Sequence, residues 1–240
     1  MAISAKIVVV IPTYNEAENI EKTIKSVFDT GLKDLAVLVV DDGSPDGTAE
    51  KVASLAEKNP YVLLLNRGAK KGLGSAYYDG FTKALGLNPE IVLSMDADGS
   101  HPAELIPKLV EAVQKGADAA VASRYSAGGK WAAGFSRMVV SRGANLLAKI
   151  STGAKVRDAT SGFRAYSSRA ITFLLSKPFE TGYVFQVEII HRLTKAGYKI
   201  VEVPFVFMRR ETGKSKLSWK EIVHFFFWCV KTWFQRIYGR

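Results

Sequence analysis

Two aspartates, Asp96 and Asp98, stand one residue apart directly after the apolar run Ile91-Val92-Leu93-Ser94-Met95. The run reads as a buried strand, and Gly99 marks the turn that ends it. Side chains two apart on an extended backbone point the same way, so both carboxylates sit on one side of a stiff support. Such a pair repels unless a cation lies between them, and oxygen ligands suit a hard divalent ion. A cation there would hold a diphosphate, acting as a Lewis acid on a leaving group. A lone Asp-x-Asp is equally a solvated turn, because turns use Asp and Gly freely. The surrounding chain decides between the two.

Strands are expected at residues 6–11, 36–40, 61–65, 91–95 and 119–122, with helices at 17–30, 48–58, 74–85 and 102–115 between them. Ile20, Ile24, Val27 and Phe28 illustrate the helical spacing of the apolar positions. Strands alternating with helices predict an α/β fold, a mainly parallel, doubly wound sheet with helices on both faces. Asn15 with Glu18 reads as a capping box, and Pro102 as a first helical residue. Ligands of such sheets bind beyond the carboxyl ends of the strands. Those ends carry Pro12-Thr13-Tyr14-Asn15-Glu16, Asp41-Asp42-Gly43-Ser44, Asn66-Arg67-Gly68 and Asp96-Ala97-Asp98, so polar and acidic residues gather on one rim.

The second half has helical patterns at 136–152 and 183–196 and a short strand at 161–166. A further strand at 199–207 contains Pro204, which places it at an edge or a bulge. No internal repeat or long linker divides the chain, so one domain is expected over 1–217, followed by a C-terminal amphipathic helix over 218–240. That helix is rich in Trp and Phe, with Lys220, His224 and Lys231 on its polar side. Its longest unbroken apolar run, 225–230, falls far short of the ~20 residues that cross a bilayer. It suits either the membrane interface or packing on the protein's own core.

The 33 Lys and Arg exceed the 23 Asp and Glu, a formal charge of +10 that favours anionic partners. Cys229 is the only cysteine, which excludes an internal disulfide and fits a reducing compartment. The three histidines are scattered, so no zinc cluster is expected. The chain begins almost directly with a strand, without the pattern of a signal peptide. Gly68-Ala69-Lys70-Lys71-Gly72-Leu73-Gly74-Ser75 is glycine-rich and basic but lacks the order of a P-loop. No Gly-x-Gly-x-x-Gly follows the first strand, which disfavours a dinucleotide oxidoreductase. Basic residues do not cluster with exposed aromatics on a nucleic-acid module, so no nucleic-acid partner is expected.

Val10-Ile11-Pro12-Thr13-Tyr14-Asn15-Glu16, Val39-Val40-Asp41-Asp42-Gly43-Ser44-Pro45-Asp46-Gly47-Thr48 and Met95-Asp96-Ala97-Asp98 occur in that order. With them the chain resembles a family-two glycosyltransferase of the GT-A fold. Ser123-Arg124-Tyr125, Ser141-Arg142-Gly143-Ala144-Asn145, 158–166, 182–188 and Gly213-Lys214-Ser215-Lys216-Leu217 extend the resemblance, over nearly the whole chain, to the polyprenyl-phosphate (dolichyl-phosphate) mannose synthases.

The resemblance implies mannose transfer from GDP-mannose to a polyprenyl or dolichyl phosphate, with inversion, by an enzyme held peripherally at the cytoplasmic face of a membrane, with or without an anchoring partner protein. UDP-glucose or UDP-N-acetylglucosamine as donor, or a non-catalytic nucleotide-sugar-binding subunit, stay open as alternatives. It places Pro12, Tyr14, Glu16, Asp41, Asp42, Lys71, Gly72, Asp96 and Ala97 at the nucleotide sugar. Asp96 and Asp98 would hold Mg²⁺ or Mn²⁺. Ser100 stands where some relatives carry Gln and, being shorter, is expected to reach the metal through a water. Asp98, Arg124, Arg137, Arg210, Ser215 and Lys216 are the expected catalytic set, the cations bringing an anionic acceptor beside an anionic donor. The charged loop 209–216, with Gly213, suits closure over donor and metal.

Overall fold

The structure, a computed structural model, describes residues 4–131, 135–207 and 219–238 and, of 135–137, the backbone alone. Seven strands form the main sheet: β1 (Ile7–Thr13), β2 (Leu35–Asp41), β3 (Val62–Asn66), β4 (Ile91–Ser94), β5 (Ala119–Ser123), β7 (Arg164–Ser167) and β8 (Ile200–Pro204). Their order is β3-β2-β1-β4-β7-β5-β8, parallel except for β7, which runs antiparallel to both neighbours. A small parallel pair, β6 (Lys130–Trp131) with β9 (Val206–Phe207), stands apart.

Parallel strands covered on both faces need apolar side chains on both. On one face Val9, Ile11, Val37, Val39 and Leu93 meet helices α1 (Ile20–Phe28), α2 (Thr48–Lys58) and α4 (Ile106–Gln114). On the other, Val8, Val10, Leu38, Val40 and Val92 meet α3 (Leu73–Leu85), α6 (Ser168–Leu174) and α7 (Val184–Lys195). The α3 helix lies so close to the sheet that a Cβ on Gly80 would stand 2.6 Å from Val10 Cγ1 and 2.9 Å from Val40 Cγ2. Gly80→Ala is therefore expected to destabilise the protein by about 1–3 kcal/mol. Urea unfolding would measure this loss, and Val10→Ala in the same chain should return part of it.

The expected helix start at residue 17 is corrected. Asn15 adopts φ 58°, and the amides of Asn15, Glu16 and Ala17 donate to Ser44 Oγ (3.0 Å), Thr48 Oγ1 (3.0 Å) and Asp46 Oδ2 (2.9 Å). These bonds to the loop after β2 hold the segment out of the helix, so α1 begins at Ile20 and no Asn15–Glu18 capping box forms. Pro102 likewise precedes a 3-10 turn, Ala103–Leu105, rather than opening α4. The strand expected at 161–166 forms as β7, and the run 199–207 divides at Phe205 into β8, an edge strand, and β9.

Two long helices complete the fold. The α8 helix (Trp219–Tyr238) packs on α5 (Phe135–Thr152) and on α7. Phe225 and Trp228 pack against Ala148, Ala154 and Ile190 in a third apolar cluster, and Cys229 of the same helix is buried. Arg236 Nη1 donates to the Ile150 carbonyl at 2.9 Å, near the end of α5. The opposite side of α8 leaves Trp219, Phe227, Phe234 and Tyr238 exposed. So one face of this helix belongs to the core, as one of the two expectations had it, while the other faces outward. No helix among the described residues is long and apolar enough to cross a membrane.

His191 on α7 meets the Trp228 ring edge-on at 6.2 Å, and burial, with Lys195 next, holds its pKa below the ordinary 6.5. A depressed folded pKa means that the unfolded chain takes the proton first. The stability His191 contributes is complete above about 6.5 and is lost as the pH falls below it. The urea midpoint should drop between pH 7.5 and 5.5 less in His191→Gln than in the parent; equal drops would remove His191 from the account.

Candidate active site

Neighbouring strands β1 and β4 are where the winding reverses, because β2 and β3 continue to one side of β1 and β4 lies on the other. A crevice opens at such a switch point, beyond the carboxyl ends of the strands. The chain leaves β1 through Tyr14 and Glu16, leaves β2 through Asp41 and Asp42, and leaves β4 through Asp96 and Asp98.

The turn after β4 is braced from several directions. The Asp96 amide donates to His101 Nδ1 at 3.0 Å, and the buried His101 ring stacks on Phe163 at 4.9 Å. A ring nitrogen that accepts carries no proton, so in neutral His101 the proton is on Nε2, which lies 3.9 Å from Asp96 Oδ2. Wholly buried Tyr77 has its hydroxyl 3.5 Å from Asp96 Oδ1. Burial first, and the Asp96 charge second, push the Tyr77 pKa well above its usual range, so this hydroxyl keeps its proton as a donor toward Asp96. Asp98 is buried, and its Oδ1 accepts from the Ser100 amide at 3.1 Å and the Ser100 hydroxyl at 2.6 Å. Ser100 thus fixes the Asp98 carboxylate. Ala97 is buried beneath the turn, where its carbonyl accepts from Thr23 Oγ1 at 2.9 Å.

This donor set fits a hard divalent cation. Asp96 and Asp98 offer carboxylate oxygens from one turn, and Gly162 keeps space beside Asp96: a Cβ there would lie 3.9 Å from Asp96 Oδ1 and 2.9 Å from Gln186 Nε2. Among the described residues no group of three His, Cys, Asp or Glu converges as a closed cage. Two carboxylates completed by substrate phosphate and water is the coordination that magnesium favours.

The acids after β2 have different duties. Asp41 is fully buried, its Oδ2 accepting from Thr13 Oγ1 (2.8 Å) and Ser44 Oγ (2.6 Å) and its Oδ1 from the Ser44 amide (2.8 Å). That places Asp41 under the rim as a brace. Asp42 Oδ2 accepts from the amides of Lys71 (3.2 Å) and Gly72 (3.3 Å), drawing the 68–72 loop against the β2 end. Arg67 Nη1 lies 2.9 Å from Asp42 Oδ1; neither atom is aligned for a hydrogen bond, so the contact is one of charge. Gly72 has φ 96°, which a side chain would strain. Lys70 Nζ stands 4.3 Å from the centre of the Tyr14 ring, closing that side of the rim, with Pro12 half-buried below.

Arg124 follows β5 and makes a two-pronged contact with wholly buried Asp158, Nε to Oδ2 at 2.7 Å and Nη2 to Oδ1 at 2.6 Å. Nη2 also donates to Thr160 Oγ1 at 2.8 Å, and Asn145 Nδ2 donates to the same hydroxyl at 3.0 Å. Trp131, Phe207 and Tyr125 surround the guanidinium at 5.0, 5.4 and 5.6 Å. With Nε and Nη2 engaged, a phosphate contact from Arg124 falls to Nη1. The side chain of Arg137, and Arg210, Ser215 and Lys216 altogether, lie outside the described residues.

Sequence reasoning passed over the residues that hold the site in shape. Asp158 sat inside a motif without a role, and Arg67, Tyr77 and His101 drew none. Arg164 is wholly buried and donates to the carbonyls of Gln186 (2.9 Å) and Ala159 (2.8 Å), tying β7 to α7 and to the loop beside Asp96. Glu188 on α7 lies 3.6 Å from Arg192 and accepts from the Glu180 amide at 2.7 Å. Burial raises its pKa above the ordinary carboxylate value.

A mainly parallel sheet with an acid pair braced at its switch point suits transfer from an activated sugar nucleotide. Residues 8–174 match Glycosyl transferase family 2, so the chain belongs to that family and is a glycosyltransferase. More particularly, it is 40% identical over 219 residues to the polyprenol monophosphomannose synthase of Mycolicibacterium smegmatis, covering 89% of this chain and 82% of that one. It is also 40% identical over 217 residues to the undecaprenyl-phosphate mannosyltransferase of Micrococcus luteus, covering 89% and 88%. Identity to the dolichol-phosphate mannosyltransferase of Pyrococcus furiosus is 41% over 228 residues, 92% of this chain and 61% of the relative. The glucosyl-3-phosphoglycerate synthase of Mycobacterium tuberculosis, solved with Mn²⁺ and UDP-glucose, superposes with a TM-score of 0.68 at 21% identity, covering 97% of this chain and 79% of that chain. At that identity the likeness concerns the fold, which is the expected GT-A type.

Proposed function

We propose that the protein transfers mannose from GDP-mannose to a polyprenyl phosphate, releasing GDP and inverting the anomeric centre. The observation that carries the reading is the Asp96–Asp98 turn, braced by His101, Tyr77 and Ser100 at the switch point of the sheet. The mannosyltransferase names of relatives at about 40% identity support the sugar and the lipid phosphate.

A bound Mg²⁺ or Mn²⁺ would supply Lewis acidity at the leaving diphosphate. Asp96 and Asp98 hold that charge in place, and Tyr77 and His101 keep Asp96 aimed. Tyr14, Glu16 and the 68–72 loop drawn in by Asp42 enclose the nucleotide side. The acceptor oxygen attacks the anomeric carbon as the bond to the nucleoside diphosphate breaks. A phosphate monoester is already anionic at neutral pH, so no side chain has to remove a proton. What the chain must supply is positive charge that brings two anions together, and Arg124, Arg137, Arg210 and Lys216 are the cations we assign to it, with Ser215 beside them. The exposed aromatics of α8 and the apolar side chains of α5 would lie against the bilayer that holds the acceptor, on its cytoplasmic face.

The purified protein should be given radiolabelled GDP-mannose, UDP-glucose and UDP-N-acetylglucosamine in turn, with a short polyprenyl phosphate. Label entering the lipid from GDP-mannose alone is the expected result. Transfer only from a UDP-sugar would replace the donor, and no transfer from any would leave a binding subunit.

A further inference from the structure

Beside α5, away from the acid pair, lies a cavity of about 240 Å³ whose walls include Arg142, Lys149, Lys155, Arg157, Tyr125 and Leu146. Four of these are cations, and among the described residues no carboxylate lines the space. None of the four forms an ion pair among the described residues. The nearby acid in sequence, Asp158, is wholly buried and held by Arg124. Four uncompensated cations around one hollow repel each other, and an anion seated among them would relieve this. The volume is below that of a drug-sized pocket, which suits a headgroup better than a nucleotide.

The setting selects the anion. Leu146, on the rim, is 60% exposed, and Val139, Val140 and Ile150 of the same helix are about half exposed. The α8 helix that packs on α5 adds exposed Phe227 and Phe234. A cationic cup in an apolar surface matches the level of a bilayer where phosphate gives way to acyl chains. We propose that this cavity seats the phosphodiester of an anionic phospholipid, separate from the acceptor that is consumed. Arg142 and Arg124 stand 6.0 and 5.6 Å from the Tyr125 ring, so a filled cavity would share a wall with the caged Arg124 and set the catalytic rim against the membrane. This inference rests on the membrane-facing reading above; its test measures vesicle binding, which can succeed or fail whatever sugar is transferred.

Cosedimentation with phosphatidylglycerol–phosphatidylcholine vesicles tests it. Lys155→Gln with Arg157→Gln removes two exposed cations from the cavity; Lys220→Gln with Lys231→Gln removes two from α8, outside it. The cavity pair should lower partitioning about tenfold more than the α8 pair, because only it withdraws charge-assisted hydrogen bonds from a seated phosphate. On pure phosphatidylcholine the two variants should match the parent, and KM for a short polyprenyl phosphate free of vesicles should stay unchanged. Equal losses from both pairs would mean a diffuse basic surface and overturn the proposal. A raised KM for the short acceptor in the cavity variant would give the cavity to the acceptor and overturn it as well.

Discussion

Asp98→Asn is expected to lower kcat for mannose transfer by about a thousandfold or more, with the fold intact. The amide keeps the shape of the carboxylate and an oxygen that can accept from Ser100, so the turn after β4 should survive. What disappears is a negative charge on a buried residue whose neighbour, Asp96, supplies the only other carboxylate of the turn. A cation held by one carboxylate is poorly placed to stabilise charge developing on the leaving diphosphate. Ser100→Ala serves as the comparison. It removes the 2.6 Å bond to Asp98 Oδ1 but leaves both charges, so its loss should stay within about tenfold. Circular dichroism and urea midpoints close to the parent's would confine both effects to catalysis. Near-parental turnover in Asp98→Asn would take the acid pair out of the mechanism.

The second large effect is on stability. Asp158→Ala leaves Arg124, whose side chain is only 9% exposed, without the carboxylate that receives Nε and Nη2. Removing one partner of a buried pair typically costs about 3–5 kcal/mol, because the remaining charge stays desolvated. Unfolding in urea should show that loss, and activity should fall with it, since Arg124, 5.0 and 5.4 Å from the Trp131 and Phe207 rings, is also one of the cations we assign to the acceptor. Arg124→Met alone strands Asp158 in the same way. The double variant should be more stable than the sum of the single losses predicts, because it strands neither charge. Strict additivity would mean that the two side chains do not depend on each other.

The parts of the fold legible in the chain are those governed by local pattern. Strands β1, β2 and β4 are apolar on both faces, and α1 to α4 carry one apolar stripe each, so periodicity places them and their alternation implies the parallel sheet. Where a distant partner intervenes, local pattern misleads. Asn15 and Glu18 have the types of a capping box, but Ser44, Asp46 and Thr48, about 30 residues away, claim the amides and delay the helix. The pair β6–β9 is two residues long on each side, and α6 spans seven, too short for a period to show.

The same division applies to the site. Asp96 and Asp98 announce themselves because two acids at a strand end are electrostatically costly and need a reason. Tyr77, Arg67 and His101 do not, since their value lies in contacts that only the assembled sheet creates. Asp41 and Asp42 were visible as acids, yet the division of labour between them was not. Asp41 points into Thr13 and Ser44, and Asp42 toward Arg67 and the amides of Lys71 and Gly72.

The account turns on a divalent cation gripped by Asp96 and Asp98 during transfer. The direct measurement is the initial rate of label moving from GDP-mannose to polyprenyl phosphate, taken first in excess EDTA and then after Mg²⁺ or Mn²⁺ is restored. The rate should fall to background in the chelator and return with either ion in the parent, but not in Asp98→Asn. An undiminished rate in EDTA would contradict the account at its centre.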